Sequence, residues 1–351
     1  MDTIDLRSDT VTWPTSEMRQ AMANAEVGDD FFREDPTVNR LEAMAAAYLG
    51  KEAALLVSSG IQANLLAVMT HCQRGDEIIL GQSNHISTNE VGGVSALGGV
   101  HPRTIPVRQD GTLDLDDLRA AIRPPDRLGY PRTRLITLEN THNRSGGTPL
   151  TVEYTQSVRE LANEHDLRLH VDGARIWNAA AALDCSVSEL AAPADSVCFC
   201  LSKGLCAPVG SMLCGSREFI RRARHLRQMV GGGMRQVGIL AAAGIVALEK
   251  MTKRLHEDHA TARQLAEGLA SIPGVNIDMT QVQTNIVLLW LADWVPVDAS
   301  TIAAELDMRF NVRLNVLTPR SFRAVTHYWI TPDRVDQAVS AIRTVMENFA
   351  P

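Results

Sequence analysis

Asp195-Ser-Val-Cys-Phe-Cys-Leu-Ser-Lys-Gly-Leu-Cys-Ala-Pro-Val-Gly210 decides how this chain is read. Its first half is an apolar run with strand character. It delivers Lys203 between Ser202 and Gly204, where no helical face carries the charge into solvent. Burial at a strand end is a setting in which a lysine amine serves as an imine-forming nucleophile. Upstream, a second apolar run, Leu167-Arg-Leu-His-Val-Asp172, ends in a carboxylate. A strand-end Asp followed by a strand-end Lys is the pair that pyridoxal 5'-phosphate requires. The amine holds C4′, and the carboxylate keeps the pyridine nitrogen protonated so that the ring accepts electrons. Taken alone, Lys203 reads as a snorkelling surface lysine. Asp172 and the glycine-rich turns reverse that reading.

Working outward, strand-like runs recur at 53–58, 77–80, 134–139, 167–171, 196–201 and 210–214. Helical patterns separate most of them, notably 61–72, 152–164 and 216–229. This alternation predicts an α/β fold with a mainly parallel sheet covered on both faces. Sites in such sheets gather beyond the carboxyl ends of the strands, where Asp172 and Lys203 fall. A helical region over 235–270 follows the glycine run Gly231-Gly-Gly233. A second α+β unit is expected after Pro273-Gly274, with strands at 285–291, 312–316 and 322–330, a helix from 298, and a closing helix from Thr331-Pro332. The predicted division is a large domain over 1–250 and a small C-terminal domain over 251–351.

The 351 residues are 45% hydrophobic, which suits a large domain plus a smaller one. A net charge of −7 argues against nucleic acid or an anionic membrane as partner. Neither a signal core nor a spanning run is present, and a cytoplasmic enzyme is expected. The six cysteines lack disulfide or metal-ligand spacing. Cys198 and Cys200 read as core residues, and no metal is expected.

Ser58-Ser59-Gly60-Ile61 joins a strand to a helix, which suits a phosphate at free helix N–H groups or an ordinary capped turn. His85 follows the strand at 77–80, where it could stack on a flat cofactor, act as acid or base, or be a hydrogen-bonded structural histidine. Glu139-Asn-Thr-His-Asn143 crowds five hydrogen-bonding side chains at one strand end. Arg175 lies just beyond Asp172, suited to a substrate carboxylate or to an ion pair with Asp172 itself. Arg313 and Arg323 are further carboxylate candidates.

Together these motifs resemble the L-threonine aldolase family, within the aspartate-aminotransferase-like fold of pyridoxal phosphate enzymes. The resemblance runs from Asp5-Leu-Arg-Ser-Asp-Thr-Val-Thr12 to Arg323-Ala-Val-Thr-His327. Its markers include Glu26-Val-Gly-Asp-Asp30, Glu34-Asp-Pro36, Asp172-Gly-Ala-Arg175, Leu201-Ser-Lys-Gly204 and Gly231-Gly-Gly-Met-Arg-Gln236. It implies a seven-stranded type of sheet and retro-aldol cleavage of a β-hydroxy-α-amino acid to glycine and an aldehyde. Lys203 would carry the cofactor, Asp172 bind its ring nitrogen, and His85 stack on the ring. His85 and His142 would assist removal of the β-hydroxyl proton. Ser8, Arg175 and Arg323 would hold the substrate carboxylate, with Arg313, Phe32 and Arg33 as further substrate candidates. Ser59, Gly60, Ile61 and Arg235 would serve the phosphate side. A shared-site homo-oligomer is implied, a dimer or a tetrameric dimer of dimers, with the Gly231–Gly233 loop reaching the neighbouring subunit's site.

Departures from the family pattern concentrate at the site. Ile61 stands where a threonine is usual and Gln228 where a lysine is usual, leaving Arg227 or Arg235 to compensate. Phe31-Phe32-Arg33, Ser87, Asn89 and Cys206 also differ. Such changes on an intact scaffold imply an altered substrate. The alternatives are β-elimination or transaldol transfer with the same cofactor, and a non-catalytic paralogue.

Overall fold

A computed structural model describes residues 3–124 and 128–349. In chain order the strands are β1 (Ile4–Asp5), β2 (Ala53–Val57), β3 (Glu77–Gly81), β4 (His101–Ile105), β5 (Thr133–Glu139), β6 (Arg168–Asp172), β7 (Ser196–Cys200), β8 (Ser211–Gly215), β9 (Val275–Asn276), β10 (Ile286–Leu291), β11 (Val312–Arg313), β12 (Asn315–Thr318) and β13 (Ser321–Val325). Seven of them form one sheet in the order β2-β8-β7-β6-β5-β3-β4. Neighbours from β7 through β4 run parallel, while β8 is antiparallel to both β2 and β7. A mainly parallel central sheet with a smaller C-terminal sheet is the α/β architecture expected.

Covering helices explain the composition of the strands. β3, β7 and β8 are buried at every position and show no polar-apolar alternation, as sheets packed on both faces require. Leu55, Val57 and Leu213 pack with Ala63 and Leu66 of the helix Gly60–His71 and Phe219 of the helix Arg217–Met229. A larger core joins Ile136, Leu169, Val197 and Phe199 to Leu41 of the helix Pro36–Leu49 and Leu248 of the helix Gly238–Lys250. The second core packs Leu265, Leu289, Phe322 and Ile342 with Ile4 and Leu6. β1 pairs in parallel with β11, and the Val325 N–H donates to Leu6 O at 2.8 Å. Residues 4–6 are thereby anchored to the last third of the chain, and Ser8 and Asp9 are carried to the large sheet.

Several boundaries differ from expectation. The helical region after the glycine run divides into Gly238–Lys250 and Leu255–Ala270 around the 3-10 turn Met251–Lys253. The strand expected over 312–316 is interrupted between β11 and β12, and β13 ends at Val325, short of 330. β4 was not foreseen, because His101-Pro-Arg-Thr-Ile105 is polar; it lies at the sheet edge, the place where a strand tolerates Pro102. Among the described residues no helix is long and apolar enough to cross a membrane.

Candidate functional site

Parallel register lines up the strand ends. Glu139 stands opposite Asp172, and Asp172 opposite Cys198. Beyond them lies a cavity of about 180 Å³, lined by Ser8, Gly60, His85, Asp172, Arg175, Lys203 and Arg323 among others. Seven residues proposed from sequence, drawn from segments up to 315 positions apart in the chain, thus face one space.

Asp172 forms the floor. It is buried, and its Oδ2 accepts from Asn64 Nδ2 at 2.8 Å while Oδ1 accepts from the Ala174 N–H at 3.1 Å. The Asn64 amide also donates to Glu90 Oε1 at 2.8 Å. On its other side, Asn64 Oδ1 meets His170 Nε2 at 3.1 Å and Cys198 Sγ at 3.2 Å. Burial pushes His170 down to about 4, so it is neutral in this network and donates from Nε2. Asp172, Asn64 and His170 thus satisfy one another, the condition that keeps a buried polar cluster from destabilising the core.

His85 stands above this floor. Its Nδ1 lies 2.8 Å from Glu90 Oε1, and its N–H donates to Glu139 Oε2 at 2.5 Å. The Glu90 contact, opposed by burial and aided by Asp172, raises the His85 pKa above its ordinary 6.5. His85, Glu90 and Asp172 each offer one ligand-type atom, all within 4.8 Å of one another. Asn64, however, points a donor at both carboxylates, where a cation would need bare oxygens. The arrangement holds protons.

Alternation at the end of β5 sorts the crowded segment. Glu139, Thr141 and Asn143 line the cavity. Asn140 turns away and exchanges hydrogen bonds with both backbone groups of Leu150. His142 also turns away and is buried. Its Nδ1 accepts from the Ser145 N–H at 3.2 Å and lies 2.9 Å from Ser145 Oγ, while Nε2 faces Asn84 Oδ1 at 3.3 Å. Both ring nitrogens are engaged, and burial lowers the pKa. His142, expected to assist removal of the β-hydroxyl proton, is not part of the cavity's lining and braces the loop behind it.

At the opposite end, Arg175 Nε and Nη2 donate to the two Asp9 oxygens, each at 2.7 Å. The carboxylate facing Arg175 is Asp9 and not Asp172. This guanidinium holds the fully buried Asp9 well below the usual carboxylate range against the cost of burial. Arg175 Nη1 keeps a long contact with Asn143 Oδ1, 3.4 Å. Arg323 Nη1 donates to the same oxygen at 2.8 Å and Nη2 to Arg7 O at 3.1 Å, while its Nε is buried without a partner. Both acceptors are neutral. Burial and the nearby Arg175 lower the Arg323 pKa to about 10. A cationic fork with a free edge, beside a second arginine, is a receptor for a carboxylate.

Lys203 enters from the bend after β7, half-buried, with its carbonyl accepting from Thr12 Oγ1 at 2.9 Å. Opposite, Ser59 Oγ caps the helix Gly60–His71 by accepting from Gln62 N–H at 3.2 Å. The Gly60 and Ile61 N–H groups, first in the helix, have no intrahelical acceptor. A Cβ on Gly60 would come 3.0 Å from Cys200 Sγ, so this turn is close-packed as well as open to an anion. The Ile61 side chain is exposed. Seven residues proposed from sequence are not part of the cavity's lining: Ser59 and Ile61 beside Gly60, His142 behind the loop, and four that lie farther off. Arg235 is exposed on Asp29 and Phe31, Arg313 pairs with Asp307, Phe32 is exposed, and Arg33 borders a separate groove beside Arg224. Arg227 is buried between Leu56 O and Asp30, so it does not substitute for the missing lysine within this chain.

Comparison with known proteins decides the family. Residues 5–292 match the family described as Beta-eliminating lyase. The chain is 47% identical to the low-specificity L-threonine aldolase 1 of Arabidopsis thaliana over 99% of its own length and 97% of that protein's. The chain belongs to the L-threonine aldolase family. The low specificity L-threonine aldolase of Escherichia coli K12 is 44% identical over 98% of this chain and 99% of its own. In fold, the chain is similar to a Leishmania major threonine aldolase, with TM-score 0.82 and 20% identity over 99% of this chain and 100% of the other. A Sphingomonas wittichii serine palmitoyltransferase shares the fold with TM-score 0.77 and 18% identity, over 99% of this chain and 88% of that one.

The cofactor of the threonine aldolase family, pyridoxal phosphate, fits these residues. The cavity is lined by an amine at Lys203, a buried carboxylate at Asp172, the His85 imidazole and Gly60, the first residue of a helix. Sequence reasoning missed Asp9, Asn64 and Glu90 as parts of the site. A signal for Asn64 exists, since it is an amide beside the apolar run Leu65-Leu-Ala-Val68 of its helix and, if buried, must find a partner. Asp9 and Glu90 carry no comparable mark.

Proposed function

We propose that this chain cleaves an L-β-hydroxy-α-amino acid, threonine, allo-threonine or a bulkier analogue, to glycine and an aldehyde. The observation that carries the reading is the convergence of Lys203, Asp172, His85 and the Arg175–Arg323 fork on one cavity. Kinship with threonine aldolases across almost the whole chain supports it. When bound, pyridoxal phosphate supplies an electron sink for the pair left on Cα as the Cα–Cβ bond breaks.

This chain's residues do the rest. Lys203 would hold the cofactor through Nζ, and Asp172 would keep a proton on the ring nitrogen. Gly60 and Ile61 N–H groups would bind the phosphate. Arg323, with Arg175 and Ser8, would bind the α-carboxylate and orient the Cα–Cβ bond perpendicular to the ring, which is catalysis by positioning. His85 would take the β-hydroxyl proton at Nε2, since Nδ1 is engaged by Glu90. Exposed Phe31, Phe32, Ile61 and Met229 support a homo-oligomer, a dimer or a dimer of dimers, in which a partner subunit completes the phosphate side. Six unpaired cysteines support a reducing, cytoplasmic setting.

Incubation of the cofactor-loaded protein with L-threonine, L-allo-threonine and bulkier β-hydroxy amino acids is expected to release glycine and the matching aldehyde. Mass spectrometry showing consumption of these substrates without glycine would replace the aldolase reading by β-elimination. No consumption of any of them would overturn it.

A further inference from the structure

Glu90 lies just after the short helix His85–Thr88 and is buried, as are Asn64 and Asp172. It has no place in the reading from sequence. Its Oε1 meets His85 Nδ1 at 2.8 Å and accepts from Asn64 Nδ2 at 2.8 Å, and the second proton of that amide goes to Asp172 Oδ2. An amide nitrogen carries two hydrogens, so Asn64 is fully used by the two carboxylates.

We propose that Glu90 is a positioning residue for His85, holding the Nδ1 edge so that Nε2 is the nitrogen presented to the cavity, with Asn64 joining this pair to Asp172 as one hydrogen-bonded unit. The inference rests on the aldolase reading for its catalytic consequence, though not for the pair itself. Charged groups facing the His85 ring are Glu90, Asp172 and Lys203; those facing Glu90 are His85 and Asp172. Burial beside Asp172 disfavours a second full negative charge and raises Glu90, while both carboxylates favour the imidazolium. A proton held between Nδ1 and Oε1 meets both demands. The orientation of a general base by a buried carboxylate through its far nitrogen is the logic that fixes one tautomer. It also places the base under the control of the floor: a charge change at Asp172 reaches His85 through one amide.

Glu90→Gln tests this without removing the acceptor, because the Gln carbonyl can still take both hydrogen bonds and only the charge is lost. Histidine resonances of the folded protein, with and without pyridoxal phosphate, are titrated by NMR, with His85 assigned from its absence in His85→Asn. The wild-type His85 midpoint is expected above the ordinary value of about 6.5, and in Glu90→Gln at or below it. The acid limb of the pH profile of kcat/KM moves down with it, because Nε2 must be unprotonated to accept the hydroxyl proton. The plateau kcat falls roughly 10-fold with KM little changed, a part of the 10²–10⁴-fold that a general base contributes. Glu90→Asp, with a shorter reach, restores the charge but not the distance and recovers only the midpoint. An unmoved midpoint in folded Glu90→Gln would overturn the pair even if glycine release is normal. A shifted midpoint in a protein that releases no glycine would instead sink the aldolase reading and leave the pair intact.

Discussion

The floor of the cavity around Asp172 and its rim at Ser59–Ile61 are built on opposite terms. On the floor, buried side chains satisfy one another through Asn64, Glu90 and His170, all supplied by this chain. At the rim, helix N–H groups meet an exposed Ile61, and the nearby arginines are engaged elsewhere, Arg227 on Asp30 and Arg235 on Asp29. A buried proton network has to be complete within one fold, because an unpaired polar group there is costly. A helix N-terminus at the surface can be left open, because solvent satisfies its free N–H groups.

The largest effect is expected where the two regions meet. Lys203→Ala should lower glycine release by roughly 10³-fold or more and abolish the visible absorbance of covalently held cofactor, since the nucleophile has no substitute. Retention of the band after gel filtration would mean that the rim alone holds the cofactor. Next comes Asp9→Ala, which leaves the Arg175 charge buried and uncompensated. A loss of about 3–5 kcal/mol in denaturant unfolding is expected. The sign with pH follows from the depressed Asp9: its contribution is present above the ordinary value of 3.8 and is lost as pH falls beneath it. Wild type should therefore lose more stability on acidification than Asp9→Ala.

A smaller effect is expected at Arg323→Leu, where a charged hydrogen-bonding fork worth about 1.5–3 kcal/mol is removed. Amino-acid affinity should fall about 10- to 100-fold, read as KM, with cofactor absorbance unchanged. The smallest change is Ile61→Thr at the rim. One added hydroxyl contact of about 1 kcal/mol should tighten cofactor binding about fivefold in equilibrium dialysis. No tightening would show that a hydroxyl at position 61 does not reach the cofactor.

Much of this molecule was legible in the chain, because sheet strands buried on both faces must be apolar at nearly every position. β3, β7 and β8 therefore stand out as short hydrophobic runs, and Asp172 and Lys203 as charges where such runs end. β4 was illegible because an edge strand needs no such composition. The site was legible only where a residue type is demanding: an amine, a ring-nitrogen carboxylate, a glycine under Cys200.

Sequence by itself determined the layered α/β plan and the candidate residues for pyridoxal phosphate, since both depend on local pattern and residue chemistry. Tertiary structure alone decided how those residues are used. It gave Arg175 to Asp9 across 166 positions, turned His142 away from the cavity while keeping Asn143 in it, and brought Asn64 between Glu90 and Asp172. Partners of buried polar groups are chosen by what the packed fold places within 3 Å, and that distance is independent of separation along the chain.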